Sequence, residues 1–109
     1  MKYLAESLGT FFLVAVDVGS AIMAENLTNG NSSVSILGKT ISTGSILFVL
    51  IKMFGSISGA HFNPAVSLVF YLRKELNKKD LLNYIIVQVI SGLMAVISVH
   101  YIFQIELFQ

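Results

Sequence analysis

The stretch that decides the fold reads SGAHFNPAVSLVFYL, residues 58–72, and it is apolar but interrupted by glycine, asparagine and proline. Asparagine is a preferred helix N-cap residue and proline is favoured at the first helical position, so Asn63-Pro64 predicts the start of a helix. A helix ending near Leu72 would measure about 14 Å, at about 1.5 Å per residue. This length is about half of the roughly 30 Å hydrocarbon core of a bilayer.

Two placements of this stretch are open on the residues alone. In a re-entrant placement, residues 58–62 dip into the membrane as extended chain, with carbonyls facing water and Asn63 near the midplane. Irregular backbone survives at membrane depth only where protein buries it or where it lines water. Such carbonyls, together with the positive end of a half-helix, would orient a permeating molecule and repel cations. In the other placement, a loop is followed by an ordinary capped helix at the surface.

Three long apolar segments surround this stretch, at about residues 4–24, 39–57 and 80–104. Each is about as long as the roughly 20 residues that cross a bilayer. Only 12% of the chain is charged, which is about half of the usual share in soluble domains. Residues 25–38, rich in Asn, Ser and Gly, are expected to form a loop. The predicted fold class is therefore an all-α membrane protein.

The distribution of basic residues predicts the orientation in the membrane. Lys2 precedes the first span and four cationic residues lie between positions 73 and 79, whereas only Lys39 is available on the opposite side. The positive-inside rule then places the N-terminus in the cytoplasm. Asp17 interrupts the first apolar run, which argues against a signal peptide. We therefore expect an integral protein of the cell membrane, with the lipid bilayer as its surroundings.

The composition limits the classes of function. The chain has no cysteine, which excludes disulfides and thiolate metal sites. Its net charge of +1 gives no reason to expect a nucleic-acid partner. His61 and His100 have no credible acid–base or metal partner in the sequence. We therefore expect no catalytic residue, no metal site, no cofactor and no enzymatic activity.

One charged residue stands inside the first apolar segment. Asp17 falls on the same helical face as Glu6 and Thr10. An aspartate at the centre of a membrane helix costs about 2.5–3.5 kcal/mol. Its side chain is therefore expected to face protein or water, and a structural hydrogen bond is favoured over a role in proton transfer.

Residues 58–66 resemble the signature of the aquaporin, or major intrinsic protein, family, and they stand where that family places it, after the second span. Residues 5–11 resemble the family's opening Ala-Glu-x-x-Gly-Thr, residues 19–21 its Gly-Ser-Ala, and residues 84–88 its Tyr-Ile-x-Ala-Gln. The resemblance covers nearly the whole chain. It implies an aquaporin-like half, with three transmembrane helices plus one re-entrant half-helix at residues 58–73.

The resemblance also implies roles for individual residues. Asn63, Pro64 and Ala65 would form the first pore motif, with the Asn63 amide donating to the permeating molecule. The carbonyls that line the path would be those of Gly59, Ala60 and His61.

Three further roles follow from the same resemblance. Glu6 matches the buried glutamate that braces the re-entrant loop, and Gln88 would support that loop from the third span. Thr43 stands at the second-span position of the selectivity region, where water channels of the family carry Phe and glycerol channels carry an aromatic residue. The smaller threonine predicts a wider and more polar constriction. Residues 41–44 also resemble the Leu-Ala-Thr-Gly of a bacterial subgroup, some of whose members are associated with arsenite transport.

The family is built as an inverted repeat in which each half donates one half-helix, and this sequence holds a single Asn-Pro-Ala. We favour the interpretation that the chain is part of a longer polypeptide. The alternatives are a natural half that pairs with a separate second half, or one that pairs with an inverted copy of itself, which the charge bias argues against.

Two functions remain open. The first is a passive channel for water or small neutral solutes such as glycerol or metalloid acids, incomplete without its second half and a homotetramer when complete. The second is a non-conducting membrane subunit that assembles with full-length channels.

Overall fold

The computed structural model describes residues 1–27 and 32–102, and this part of the chain is all-α, without a β-strand. The helices are α1 (Lys2–Leu27), α2 (Ser32–Ser58), α3 (Pro64–Leu72) and α4 (Lys78–Ile102). The helices α1, α2 and α4 are long and apolar enough to cross a membrane. The predicted architecture, three long apolar helices and one short helix, is confirmed.

The short helix α3 has the bounds that the sequence predicts. It begins at Pro64, with Asn63 as its N-cap residue, and it ends at Leu72. Pro64 is the single proline of the chain. Proline kinks a helix only from its interior. Because this single proline stands at the first position of α3, the three long helices have no proline kink.

The long helices extend beyond the predicted spans. The described residues of the expected loop, 25–27 and 32–38, are helical, which corrects that expectation at these positions; residues 28–31 lie outside the described part, as do 103 and 104 of the third predicted span. Serine suits a helix start as well as a loop, and apolar side chains continue from Val34 onward. A helix of 27 residues is also about 40 Å long, so the apolar run marks only its minimum length.

The helix α1 packs against both α2 and α4, and α3 packs against α4. The helices α1 and α2 are antiparallel, since Glu6 contacts Ser58 and Asp17 contacts Thr43. Residues 73–77 connect α3 to α4, so these two helices also run in opposite directions.

The distribution of polarity is the reverse of that in a soluble protein. Many buried side chains are polar, and they include Glu6, Thr10, Ser58, His61, Ser67, Gln88 and Ser91. Large apolar side chains lie outside, each more than half exposed, and they include Ile41, Phe48, Leu93, Met94 and Ile97. An apolar exterior of this kind is suited to contact with lipid or with other membrane helices.

A polar cluster joins the first turns of α1 and α4. Lys2 Nζ lies 2.7 Å from Asp80 Oδ2, and the Tyr3 hydroxyl donates to the other oxygen of Asp80. This cluster fixes the start of α4 beside the start of α1. The helices then stay adjacent, which brings Gln88 of α4 opposite Glu6 of α1.

Candidate functional site

The segment of residues 59–63 connects α2 to α3 without helical structure of its own. Three of its residues have a left-handed φ, which is 86° at Gly59, 54° at Ala60 and 53° at Phe62. Glycine adopts this conformation freely, whereas other residues lose about 1–2 kcal/mol. Such a conformation persists where surrounding contacts hold it. In this segment the contacts come from all four helices.

The carboxylate of Glu6 is the centre of these contacts, and it is fully buried. Its Oε2 accepts hydrogen bonds from Ser58 Oγ at 2.6 Å and from the His61 backbone N–H at 3.1 Å. Its Oε1 accepts from the Phe62 backbone N–H and from Gln88 Nε2, both at 2.9 Å. One side chain of α1 therefore fixes the end of α2, the turn of the segment and the middle of α4.

A second cluster holds the His61 side chain against α3 and α4. His61 Nδ1 is hydrogen-bonded to Ser67 Oγ at 2.9 Å, and Ser67 also accepts from Gln88 Nε2 at 3.1 Å. The His61 ring stacks on Phe70, with centroids 4.6 Å apart, and meets the edge of Tyr84 at 5.1 Å. This cluster fixes the His61 ring inside the protein, between α3 and α4.

The Phe62 side chain is buried against a glycine of α1. Phe62 is 3% exposed, and a Cβ added to Gly9 would overlap the Phe62 ring. On its other side, Phe62 meets Phe54 in an edge-to-face contact at 6.4 Å. The close approach of the segment to α1 therefore requires glycine at position 9.

Asn63 caps α3 with its side-chain oxygen and leaves its side-chain amide nitrogen without a partner among the described residues. Its Oδ1 accepts from the Ala65 backbone N–H at 2.8 Å, and Pro64 occupies the first helical position. Because Oδ1 is turned toward the helix, the amide Nδ2 points away from it; Nδ2 makes no hydrogen bond to any described residue. All three residues of the motif are exposed. The Asn63 amide is therefore available to donate to a small molecule.

Three backbone carbonyls beside Asn63 are also available. The carbonyl of Ser58 accepts from the Tyr84 hydroxyl at 2.8 Å. In contrast, no described residue donates to the three carbonyls that follow, those of Gly59, Ala60 and His61. Gly59 is exposed and Ala60 is half-buried, so carbonyls in this segment can accept from water or from another donor that reaches them.

The position of Asn63 along the bundle follows from α4. Ser67 of α3 contacts Gln88, which lies about 15 Å from the start of α4 at about 1.5 Å per residue. Asn63 precedes Ser67 by about one turn of an antiparallel helix, or about 5 Å. It therefore lies about 20 Å along α4, whose 25 residues span about 37 Å. The tip of α3 is near the middle of the bundle.

Comparison with known proteins identifies the family. The family model described as major intrinsic protein matches residues 1–107. The chain belongs to the major intrinsic protein family. No solved structure is significantly similar to the chain.

Curated relatives of this major intrinsic protein come from bacteria and plants. Aquaglyceroporin AqpS of Rhizobium meliloti is 46% identical over 94% of this chain and 43% of its own length. Glycerol uptake facilitator protein-like 6 of Lactiplantibacillus plantarum is 35% identical over 86% of this chain and 40% of its own. Aquaporin NIP1-2 of Arabidopsis thaliana is 37% identical over 96% of this chain and 35% of its own length. The chain thus spans less than half the length of these relatives.

In this major intrinsic protein, Thr43 lies away from the Glu6 site and faces α1. Its hydroxyl donates to Asp17 Oδ1 at 3.1 Å, and Lys39 Nζ lies 3.8 Å from the same oxygen. These residues line an open groove of about 460 Å³, together with Ile36, Thr40 and Gly44. The structural hydrogen bond expected for Asp17 is present. The structure therefore separates the predicted site residues into two groups, one around Glu6 and one around Thr43.

Sequence reasoning missed several residues of the Glu6 group. Ser58 and Tyr84 belong to the quoted motifs but had no assigned role, and Ser67 and Gly9 were not singled out as site residues. A serine one turn after a helix cap carries no signal of its own, and a glycine in a membrane helix usually indicates helix packing. Within residues 1–27 and 32–102, no group of three His, Cys, Asp or Glu side chains could hold a metal ion.

Proposed function

We propose that this chain forms one half of a passive transmembrane channel for water and small neutral solutes. The observation that carries the proposal is the start of α3, where the Asn63 amide stands beside three carbonyls, and no described residue bonds to any of these groups. A molecule that passes this point can donate to the carbonyls and accept from Nδ2. These contacts replace both the hydrogen bonds that the molecule donated to water and those that it accepted from water.

The charge distribution at this point favours neutral molecules. The N-terminus of a helix carries a partial positive charge, and the amide of Asn63 adds donors to it. Both disfavour a cation, and the buried Glu6 carboxylate is occupied by four donors of the protein. The carboxylate therefore fixes the segment and does not attract cations into the path.

The names of the relatives and the residue at position 43 indicate the class of solute. The relatives include an aquaglyceroporin, a glycerol uptake facilitator-like protein and an aquaporin. We infer that glycerol and other small hydroxylated solutes, including metalloid acids, pass along with water. Thr43 supports this, because a threonine at the constriction leaves more room than a phenylalanine and offers a hydroxyl.

The channel needs a second half to close the path. In an inverted repeat each half supplies one half-helix near the midplane, and the exposed face around Asn63 is the face a second half would cover. We further propose that the complete channel is a homotetramer in the cell membrane, with the N-terminus in the cytoplasm. The basic residues between 73 and 79 support this orientation.

A non-conducting subunit is the second candidate. The exposed apolar faces of α2 and α4 could pack on an intact channel of the same family. This candidate predicts that vesicles containing the chain with full-length channels are no more permeable than vesicles containing the channels alone. Sequencing of the gene past Gln109 separates the two candidates first. A stop codon at that point, with no gene for a second half, would favour the subunit.

The decisive variant is Asn63→Asp in the complete channel. Aspartate retains the oxygen that caps α3 but loses the amide donors, so the fold is preserved while the permeation contact is lost. Loss of one such hydrogen bond, worth about 1 kcal/mol, predicts a water permeability about fivefold lower. Stopped-flow swelling of proteoliposomes measures this directly.

Asn77→Asp is the matched control. Asn77 caps α4 through its Oδ1, which accepts from the Asp80 backbone N–H at 2.7 Å, and it lies outside the segment. The same chemical change at this cap should leave permeability within about twofold, since both residues are good caps. Equal permeability in wild type and Asn63→Asp would rule out the proposed role of the Asn63 amide.

A further inference from the structure

A second carboxylate in α1 lies on the same face as Glu6. Asp17 follows Glu6 by about three helical turns, so the two side chains point within about 20° of each other and about 16 Å apart along the helix. Glu6 faces the interior of the bundle, where it is fully buried. Asp17 therefore faces the same side, further along the proposed path.

Thr43 occupies the corresponding face of α2. It precedes Leu50 by about two turns and lies within about 20° of it around the helix, and Leu50 is buried. The Thr43 hydroxyl donates to Asp17 at 3.1 Å, and Lys39, one turn earlier in α2, lies 3.8 Å from the same carboxylate. Asp17 and Lys39 are each nearly half exposed to the groove.

The direction of this hydrogen bond decides what Thr43 offers to a solute. A threonine hydroxyl has one proton and two acceptor lone pairs. Because the proton is directed to Asp17, the groove receives only the lone pairs. Lys39 supplies donors and a positive charge beside the negative charge of Asp17, so the groove carries both signs and favours neither cations nor anions.

We propose that Asp17 is a positioning residue for specificity: it fixes the Thr43 hydroxyl as a hydrogen-bond acceptor for neutral solutes that donate several hydrogen bonds, such as polyols. This inference rests on the proposed function, in which Thr43 lines the constriction. Without Asp17, the Thr43 side chain rotates so that its hydroxyl donates to a carbonyl of α2 one turn earlier. The oxygen then lies against its own helix, and its lone pairs no longer face the groove. A polyol touches the wall throughout its passage and loses more from this change than water does.

The test is a double-mutant cycle in the complete channel, with water and glycerol permeabilities measured in proteoliposomes. Asp17→Leu removes the acceptor while adding an apolar side chain that membrane helices accept readily. We expect the glycerol permeability to fall about fivefold, the factor that one net hydrogen bond supplies, and the water permeability to change less than twofold. Asp17→Asn keeps an oxygen acceptor and should retain the wild-type ratio.

Thr43→Val supplies the second arm of the cycle. If Asp17 acts through the hydroxyl, Asp17→Leu has no further effect in the Thr43→Val background. An equal effect in both backgrounds, or a ratio lost in Asp17→Asn as in Asp17→Leu, would overturn the inference. If Asp17→Leu does not accumulate in membranes, Asp17→Asn combined with Thr43→Ser, which retains the hydroxyl, should still give the wild-type ratio, and a changed ratio would overturn the inference.

The two proposals fail in different ways. An unchanged water permeability in Asn63→Asp removes the proposed function, whatever happens at Asp17. A normal response of Asn63→Asp, together with an unchanged glycerol-to-water ratio in Asp17→Leu, removes only the positioning role.

Discussion

Replacement of Glu6 by glutamine tests whether the buried carboxylate holds the segment of residues 59–63. Each carboxylate oxygen accepts two hydrogen bonds, one of them from a backbone N–H of the segment. Glutamine has nearly the same shape, but its NH₂ group accepts no hydrogen bond. The Glu6→Gln variant therefore removes one of two acceptors without leaving a cavity.

The minimum free-energy cost of Glu6→Gln follows from the groups that donate to the Glu6 carboxylate. If the NH₂ takes the place of Oε2, the His61 N–H loses its acceptor; if it takes the place of Oε1, the Phe62 N–H does. The side-chain partners can adapt, because the Ser58 hydroxyl can turn and Gln88 can present its Oε1, which is buried without a partner among the described residues. One buried backbone donor is left unpaired in either case, at a cost of about 1–3 kcal/mol.

Amide hydrogen exchange of residues 59–63, measured on the complete channel in lipid discs, reports this cost. The protection of the segment should fall between about fivefold and about a hundredfold, since every 1.4 kcal/mol is about tenfold. Thr10→Val is the control, because Thr10 is buried one turn from Glu6 and its Oγ1 has no partner among the described residues. That variant should be neutral or slightly stabilising. Unchanged protection in Glu6→Gln would refute the reasoning.

Other changes test the packing and the constriction. Gly9→Ala places a methyl group in the Phe62 ring and should destabilise the channel by about 1–3 kcal/mol in detergent unfolding. Gly92→Ala is the control and should be tolerated, because the nearest atom to a Cβ added at Gly92 lies 3.8 Å away. Equal effects of the two changes would contradict the close contact of Gly9 with Phe62. Gly59→Ala, at a φ of 86°, should cost about 1–2 kcal/mol in the same assay, and an unchanged midpoint would count against a rigid turn. Thr43→Phe should lower glycerol permeability more than water permeability in swelling assays, and equal losses would mean that Thr43 does not line the constriction.

The part of the fold that depends on local chemistry could be predicted from the sequence. Asn63-Pro64 defines the start of α3 because capping and the fixed φ of proline act on neighbouring residues. The inward direction of Asp17 could be predicted because a lipid-facing aspartate is costly. The helical residues of 32–38 were missed because serine and glycine favour several structures, and the packing of α2 on α1 is not visible in local composition.

The site itself depends on contacts between distant residues, and these were accessible only through resemblance. The roles of Glu6 and Gln88 came from matching motifs, since no spacing rule brings residues 82 positions apart together. The four-donor arrangement, the stacking of His61 on Phe70 and the contact of Phe62 with Gly9 depend on the exact path of the segment. That path is set by left-handed backbone at Ala60 and Phe62, which local preferences disfavour.

The four hydrogen bonds of Glu6 also impose an order on biosynthesis. Gln88 leaves the ribosome 82 residues after Glu6, which takes about 4–16 s at about 5–20 residues per second. For the last 26 residues of that interval, from Phe62 to Gln88, the turn at Ala60 and Phe62 exists as chain but lacks the helix that supports it from the far side. The strained turn is therefore completed only after α4 has emerged, and nascent chains arrested before that point should leave residues 59–63 open to protease, or to thiol labelling of a cysteine introduced at Ala60.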